Sequence, residues 1–264
     1  MATTGIDAPG RARITARTLR TDRWWIEPLI TFLALTAFVA YSAWRVFSGQ
    51  YYFSAPYISV YYSPCLATSC TEGATPGAPI SWWMLSPALL TAWIPLTFRF
   101  SCYYYRKAYF RSFWMSPPAC AVAEPHGKYT GERRLPLILN NLHRYTFYLA
   151  LLLNVMLTID AIAAFRTPGG RWGYVGLGTL ILVLNAVCLW LYTLSCHSCR
   201  NAVGGRITHF SKHPVRYQMW TFVSKLNTHH MRWAWISLGT VVLADFYVYL
   251  LASGRITDLV FFSA

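Results

Sequence analysis

Five apolar stretches, each close to the length needed to cross a bilayer, dictate most of what this chain can become. A hydrocarbon core about 30 Å thick is spanned by about 20 apolar residues of helix, which satisfies every backbone N–H and C=O within the segment. The stretches are residues 28–44, 80–98, 145–165, 172–194 and 233–253, and only two charged residues, Asp160 and Asp245, lie within them. Trp24, Trp25, Trp82, Trp83, Trp172, Trp220 and Trp233 stand near their ends, where an interfacial aromatic belt belongs. Pro87 and Pro95 predict a kink in the second stretch. The expected fold is all-α, an integral membrane bundle of five transmembrane helices forming one membrane-anchor domain over residues 1–264.

Charge orients this bundle. The net charge is +14, yet only 12% of residues are charged, about half the share usual in soluble domains. A basic surplus suits either nucleic acid or the cytoplasmic loops of a membrane protein, and its distribution chooses the second. Nineteen of the 23 Lys and Arg fall in segments 1–27, 99–144 and 195–232, which are therefore cytoplasmic. The N-terminus is then cytoplasmic and the C-terminus outside. No nucleic-acid partner is expected, and residues 1–22 lack the apolar core of a cleaved signal peptide. The first outer loop, about 48–81, holds Cys65 and Cys70, which an oxidising compartment favours as a local disulfide. The long basic and aromatic cytoplasmic segments suit a docking platform for a peripheral partner.

On this topology all seven histidines are cytoplasmic, with Cys102, Cys120, Cys196 and Cys199. Cys196-His197-Ser198-Cys199 is the strongest local signal, because residues three apart on a helix share a face and can chelate one metal. Cys120 and His126 follow in a Pro-rich run; His143 opens the third span and His230 nearly opens the fifth. Two Cys with two His suit zinc, which would be structural. They equally suit a Rieske-type [2Fe–2S] centre, which would carry electrons. A single haem b between His143 and His230 is a third arrangement, whereas haems stacked across the membrane would need histidines within the spans. Donor chemistry alone does not choose. Arg99, Tyr103, Tyr104 and Arg106 offer hydrogen-bond donors for a quinone headgroup, set against ordinary roles in the belt and at lipid phosphates. Asp160 and Asp245 either begin a proton path to the outside or are hydrogen-bonded near the outer interface.

Residues 101–132 (SCYYYRKAYFRSFWMSPPACAVAEPHGKYTGE), LNNLHRY at 139–145, TLSCHSCR at 193–200, ITHFSKHPVRY at 207–217 and SKLNTHHM at 224–231 together resemble the membrane-anchor subunit of actinobacterial, mycobacterial-type succinate dehydrogenases, the type with one five-span anchor. The similarity extends over nearly the whole chain, including TLRTDRWW and YYSPCLATSC. It implies a multi-pass plasma-membrane subunit of a succinate:quinone oxidoreductase. Flavoprotein and iron–sulfur subunits would be its partners, with succinate oxidised on another subunit and menaquinone reduced near the cytoplasmic face. The chain departs from di-haem anchors of this superfamily, which carry histidines within several spans. That departure favours a Rieske-type [2Fe–2S] centre, with Cys196 and Cys199 first and Cys120, His126, His143 and His230 competing for the remaining places. The competing reading is a zinc-stapled or haem b scaffold that docks a partner without a [2Fe–2S] centre of its own. A transporter is disfavoured, because the spans are apolar at mid-depth and no inverted repeat is visible.

Overall fold

Four of the five apolar runs become long helices: α1 (Ile26–Ser48), α4 (His143–Ala163), α5 (Leu177–Leu194) and α8 (His230–Ala252). The computed structural model describes residues 20–74, 80–125, 134–135, 137–205 and 207–263. Each of the four helices is long and apolar enough to cross a membrane. In α1, Glu27 in the first turn and Arg45 in the last complement the helix dipole.

The second run departs from expectation. Helix α2 begins at Leu89 rather than Ile80 and ends at Ser101, 13 residues that reach only about 20 Å. Pro87 explains the late start: it disfavours a helical Ser86 before it, and its carbonyl accepts from Leu90 N–H in the first turn. Cys102, in an extended conformation, separates α2 from α3 (Tyr103–Ser112). Beyond α5 lie α6 (His197–Gly204), a 3-10 turn at Phe210–Lys212 and α7 (Pro214–Asn227). The all-α expectation holds in outline, with two small antiparallel sheets added. One pairs β1 (Phe53–Ser54) with β2 (Tyr57–Ile58), the other β3 (Tyr174–Gly176) with β4 (Val260–Ser263).

The chain resolves into two compact units. One comprises residues 1–39 and 100–142, the other 40–99 and 143–264. In the second unit, α5 packs on α4 and α8 through small side chains (Ala161, Ala164, Ala186 and Ala244) that let backbones approach closely. The outer loop enters this packing. Tyr57 and Val60 join the same core, and Val60 also packs against the cluster of Leu153, Leu157 and Leu189. Gly178 makes room for it, since a β-carbon there would stand 2.6 Å from the Tyr57 ring.

Non-helical chain among apolar helices must find partners for its polar groups. Ser63 donates to Asp160, and Ser59 to Asp245. Asp245, completely buried, also accepts from Tyr41 Oη at 2.5 Å and from Arg45 Nε at 2.7 Å and Nη2 at 3.2 Å. Arg45 is equally buried and donates its remaining protons to Ser48 Oγ and to the carbonyls of Gln50 and Tyr51. Of the two readings for Asp160 and Asp245, hydrogen bonding is the one observed. Cys65 and Cys70 form the expected disulfide beside this segment. The C-terminal strand is clasped by Asp258, which accepts from Tyr57 (2.5 Å), Tyr247 (2.6 Å), Tyr174 (2.8 Å) and Gly178 N–H (3.1 Å).

Candidate functional site

Where α5 gives way to α6, the chain turns through Ser195 and Cys196. Cys196 is the N-cap of α6, not part of it: its backbone is extended and its Sγ accepts from Ser198 N–H at 3.3 Å. This corrects the expected chelate geometry, which placed Cys196 and Cys199 on one helical face. Cys199 lies in the first turn, buried, and burial pushes its thiol up from the ordinary range.

Two histidines from other helices converge here. His143, first residue of α4, holds Nδ1 at 3.1 Å from the Phe98 carbonyl and Nε2 at 3.1 Å from Cys196 Sγ. A carbonyl only accepts, so Nδ1 carries the proton and Nε2 presents a lone pair to the thiol. His230, first residue of α8, holds Nδ1 at 2.7 Å from Ser195 Oγ, whose own proton goes to the Tyr192 carbonyl. Nδ1 of His230 is therefore the donor, and Nε2 again has the lone pair. Asn227 fixes the turn by donating to the Ser195 carbonyl at 2.7 Å.

Aromatic rings hold both imidazoles. His143 stacks on Phe98 (4.8 Å), Phe98 meets Tyr192 edge-on (5.4 Å), and Tyr192 stacks on His230 (5.1 Å). The His197 ring lies 6.4 Å from that of His230, and burial, with Arg200 beside it, pulls its imidazole below the usual range. The Arg99 guanidinium covers Tyr192 at 4.7 Å and donates to the Ala234 carbonyl (3.3 Å) and Ser237 Oγ (3.1 Å).

The sequence-predicted residues thus divide. Cys196, His143 and His230 come to one end of the second unit, with Cys199 on the adjoining helix turn. Among the described residues no group of three or more His, Cys, Asp or Glu lies close enough to hold a metal ion. Cys120, in the first unit, is exposed, and its carbonyl accepts from Arg20 at 2.8 Å. His126 lies outside the described residues. Tyr103, Tyr104 and Arg106 are in α3 of the first unit, with Arg106 over the Tyr103 ring at 5.3 Å and Tyr103 edge-on to Tyr104. Phe98, Tyr192 and Ser195 escaped sequence reasoning. The two rings read as span filling, and only the adjacency of Ser195 to Cys196 could have pointed to it.

The donor types present, thiols and imidazoles with anchored Nδ1–H groups, fit zinc or a mixed Cys/His iron–sulfur centre. A histidine that ligates a metal through Nε2 usually donates its Nδ1–H to such an oxygen.

The family described as actinobacterial succinate dehydrogenase subunit SdhC matches over residues 26–254. This chain belongs to that family. It is a multi-pass plasma-membrane subunit of succinate dehydrogenase and works with the other subunits of that complex. The chain is also similar to a solved chain of the Mycobacterium smegmatis Sdh1 complex in the apo form, with 56% identity and a TM-score of 0.84, covering 97% of this chain and 98% of that one. No curated protein matches the sequence.

Proposed function

We propose that this anchor subunit receives electrons from a peripheral iron–sulfur subunit and delivers them to menaquinone near the histidine-bearing end of the bundle. The observation that carries this reading is the convergence of Cys196, His143 and His230 at one end, both imidazoles with Nδ1–H on oxygen. Cys196 and Cys199, with His143 and His230, would hold a Rieske-type [2Fe–2S] centre; Cys120 and His126 compete for places. When bound, such a centre supplies one-electron transfer, at a higher potential than an all-cysteine cluster would. Ser195 and the Phe98 carbonyl orient the imidazoles, and the Phe98 and Tyr192 rings exclude water from them. Arg99, Tyr103, Tyr104 and Arg106 are the proposed donors to the quinone carbonyls.

The test is electron paramagnetic resonance of the intact, dithionite-reduced complex, paired with iron, zinc and acid-labile sulfide analysis. Loss of one low-average-g rhombic signal and two irons in Cys196→Ser and His143→Ala, with the partners' clusters retained, is the expected result. Zinc in place of iron, or a haem spectrum, would overturn it.

For topology, we propose five crossings with a cytoplasmic N-terminus, α2 and the apolar residues before it making the short one. The asymmetry of Lys and Arg supports this orientation. In intact cells, a membrane-impermeant thiol reagent should label a cysteine introduced at Ser263 but not one at Thr228. The reverse pattern would invert the assignment.

A further inference from the structure

Helix α7 carries a feature that electron transfer does not use. Trp220, Val223 and Asn227 form its packed face: Val223 and Asn227 are buried, and Trp220 lies so near Gly204 that a β-carbon there would collide with the indole. Arg216 closes this contact by donating to the Val203 carbonyl at 2.7 and 3.0 Å, and Arg200 covers the Trp220 ring. A second, separate stripe runs beside it. Val215, Met219, Phe222 and Leu226 recur at i, i+4, i+7 and i+11, one face of a helix. The first three are 67%, 51% and 58% exposed.

Charge surrounds this stripe with one sign. Residues 200–232 contain six Lys and Arg and no Asp or Glu. Lys212, His213, Lys225, His229 and Arg232 are exposed. The helix also has a fixed station, since α7 ends at Asn227 and the span α8 begins at His230. Its C-terminal end is therefore tethered at the level where α8 leaves the bilayer.

An exposed apolar stripe, flanking cations and attachment to a span match an interfacial helix whose apolar side dips into the acyl boundary while its basic side chains reach phosphates. We propose that α7 lies on the bilayer and binds anionic phospholipid headgroups through Lys212, Lys225 and Arg232, with Val215, Met219 and Phe222 inserted beneath them. An acidic protein partner would satisfy the charges, but the tether at His230, which holds the end of α7 beside a span, favours the lipid surface.

The experiment places a photo-crosslinking benzoylphenylalanine at Phe222, and separately at Met219, in the intact complex in nanodiscs of phosphatidylcholine with a minor fraction of phosphatidylglycerol. A third site at Leu184, an exposed position in the apolar helix α5, is the control. Adducts at the two α7 positions should be lipid, with phosphatidylglycerol enriched about fivefold over its mole fraction. The triple variant Lys212→Gln, Lys225→Gln, Arg232→Gln should abolish that enrichment and leave the Leu184 adducts unchanged. Adducts to a partner subunit, absence of lipid adducts at both positions, or equal capture of the two lipids would each overturn the proposal.

Discussion

The two ends of the second unit treat buried polar groups in opposite ways. At the end carrying the Cys65–Cys70 disulfide, opposite charges meet: Arg45 and Asp245 are fully buried, 2.7 Å apart, and surrounded by hydroxyls and carbonyls that complete their hydrogen bonding. At the other end, imidazoles and thiols are oriented by neighbours, with Nδ1 of each histidine on an oxygen and the rings pinned by Phe98 and Tyr192. A saturated ion pair holds chain together. The oriented imidazoles and the Cys196 thiol are the donors of the proposed centre. Both ends are buried; they differ in that the ion pair completes its bonds within the fold, whereas each imidazole commits Nδ1 to an oxygen and keeps its Nε2 lone pair.

The sharpest way to break this distinction is to remove one charge. Asp245→Ala leaves Arg45 buried without its carboxylate and should cost about 3–5 kcal/mol. Thermal unfolding of the purified complex would read this, and a paired Arg45→Met, Asp245→Leu variant should recover most of it. Complex that survives should keep its reductase rate, because that end is structural; a rate lost out of proportion to folded protein would show otherwise. A smaller effect is expected at the opposite end. Ser195→Ala releases His230 Nδ1 and should lower succinate:quinone reductase activity about tenfold, the scale of losing the group that orients a ligating histidine, with little change in melting temperature. A pure stability defect would remove Ser195 from the orienting set.

The smallest effect concerns Asp258. Burial pushes its carboxyl up, but the Tyr247 and Tyr57 phenols, the Gly178 N–H and the Tyr174 phenol outweigh this and hold it below the usual carboxylate range. Its folded pKa is depressed, so the stabilisation is fully present above the ordinary carboxylate pKa and is lost as pH falls through the lowered value. Tyr174→Phe removes one donor and should shift the acid-induced loss of the β3–β4 clasp toward higher pH, measured as protease access to the C-terminal strand. An unchanged acid profile would mean the clasp owes nothing to this carboxylate.

Much of this was legible in the sequence and some was not, for reasons that differ. The helices over 26–48, 143–163, 177–194 and 230–252 follow from length and hydropathy, which act locally. The run at 80–98 has the same composition, yet Pro87 withholds helix from its first part, so apolar content overstated the span. Segment 57–63 reads as part of the first outer loop, about 48–81. Its burial depends on Asp160, Thr179 and Asp245, far away in the chain, and no local pattern announces them. The meeting of His143 with Cys196 was foreseeable from their shared position at helix ends. The N-cap role of Cys196 was not, because CxxC spacing is silent about where a helix starts.

The burial of segment 57–63 also sets an order of assembly. Ser63 precedes Asp160 by 97 residues and Ser59 precedes Asp245 by 186, so the segment lacks both partners until α4 and then α8 have been synthesised. Helix α8 therefore latches the segment, and a chain truncated before it would leave Ser59 and Arg45 without their carboxylate.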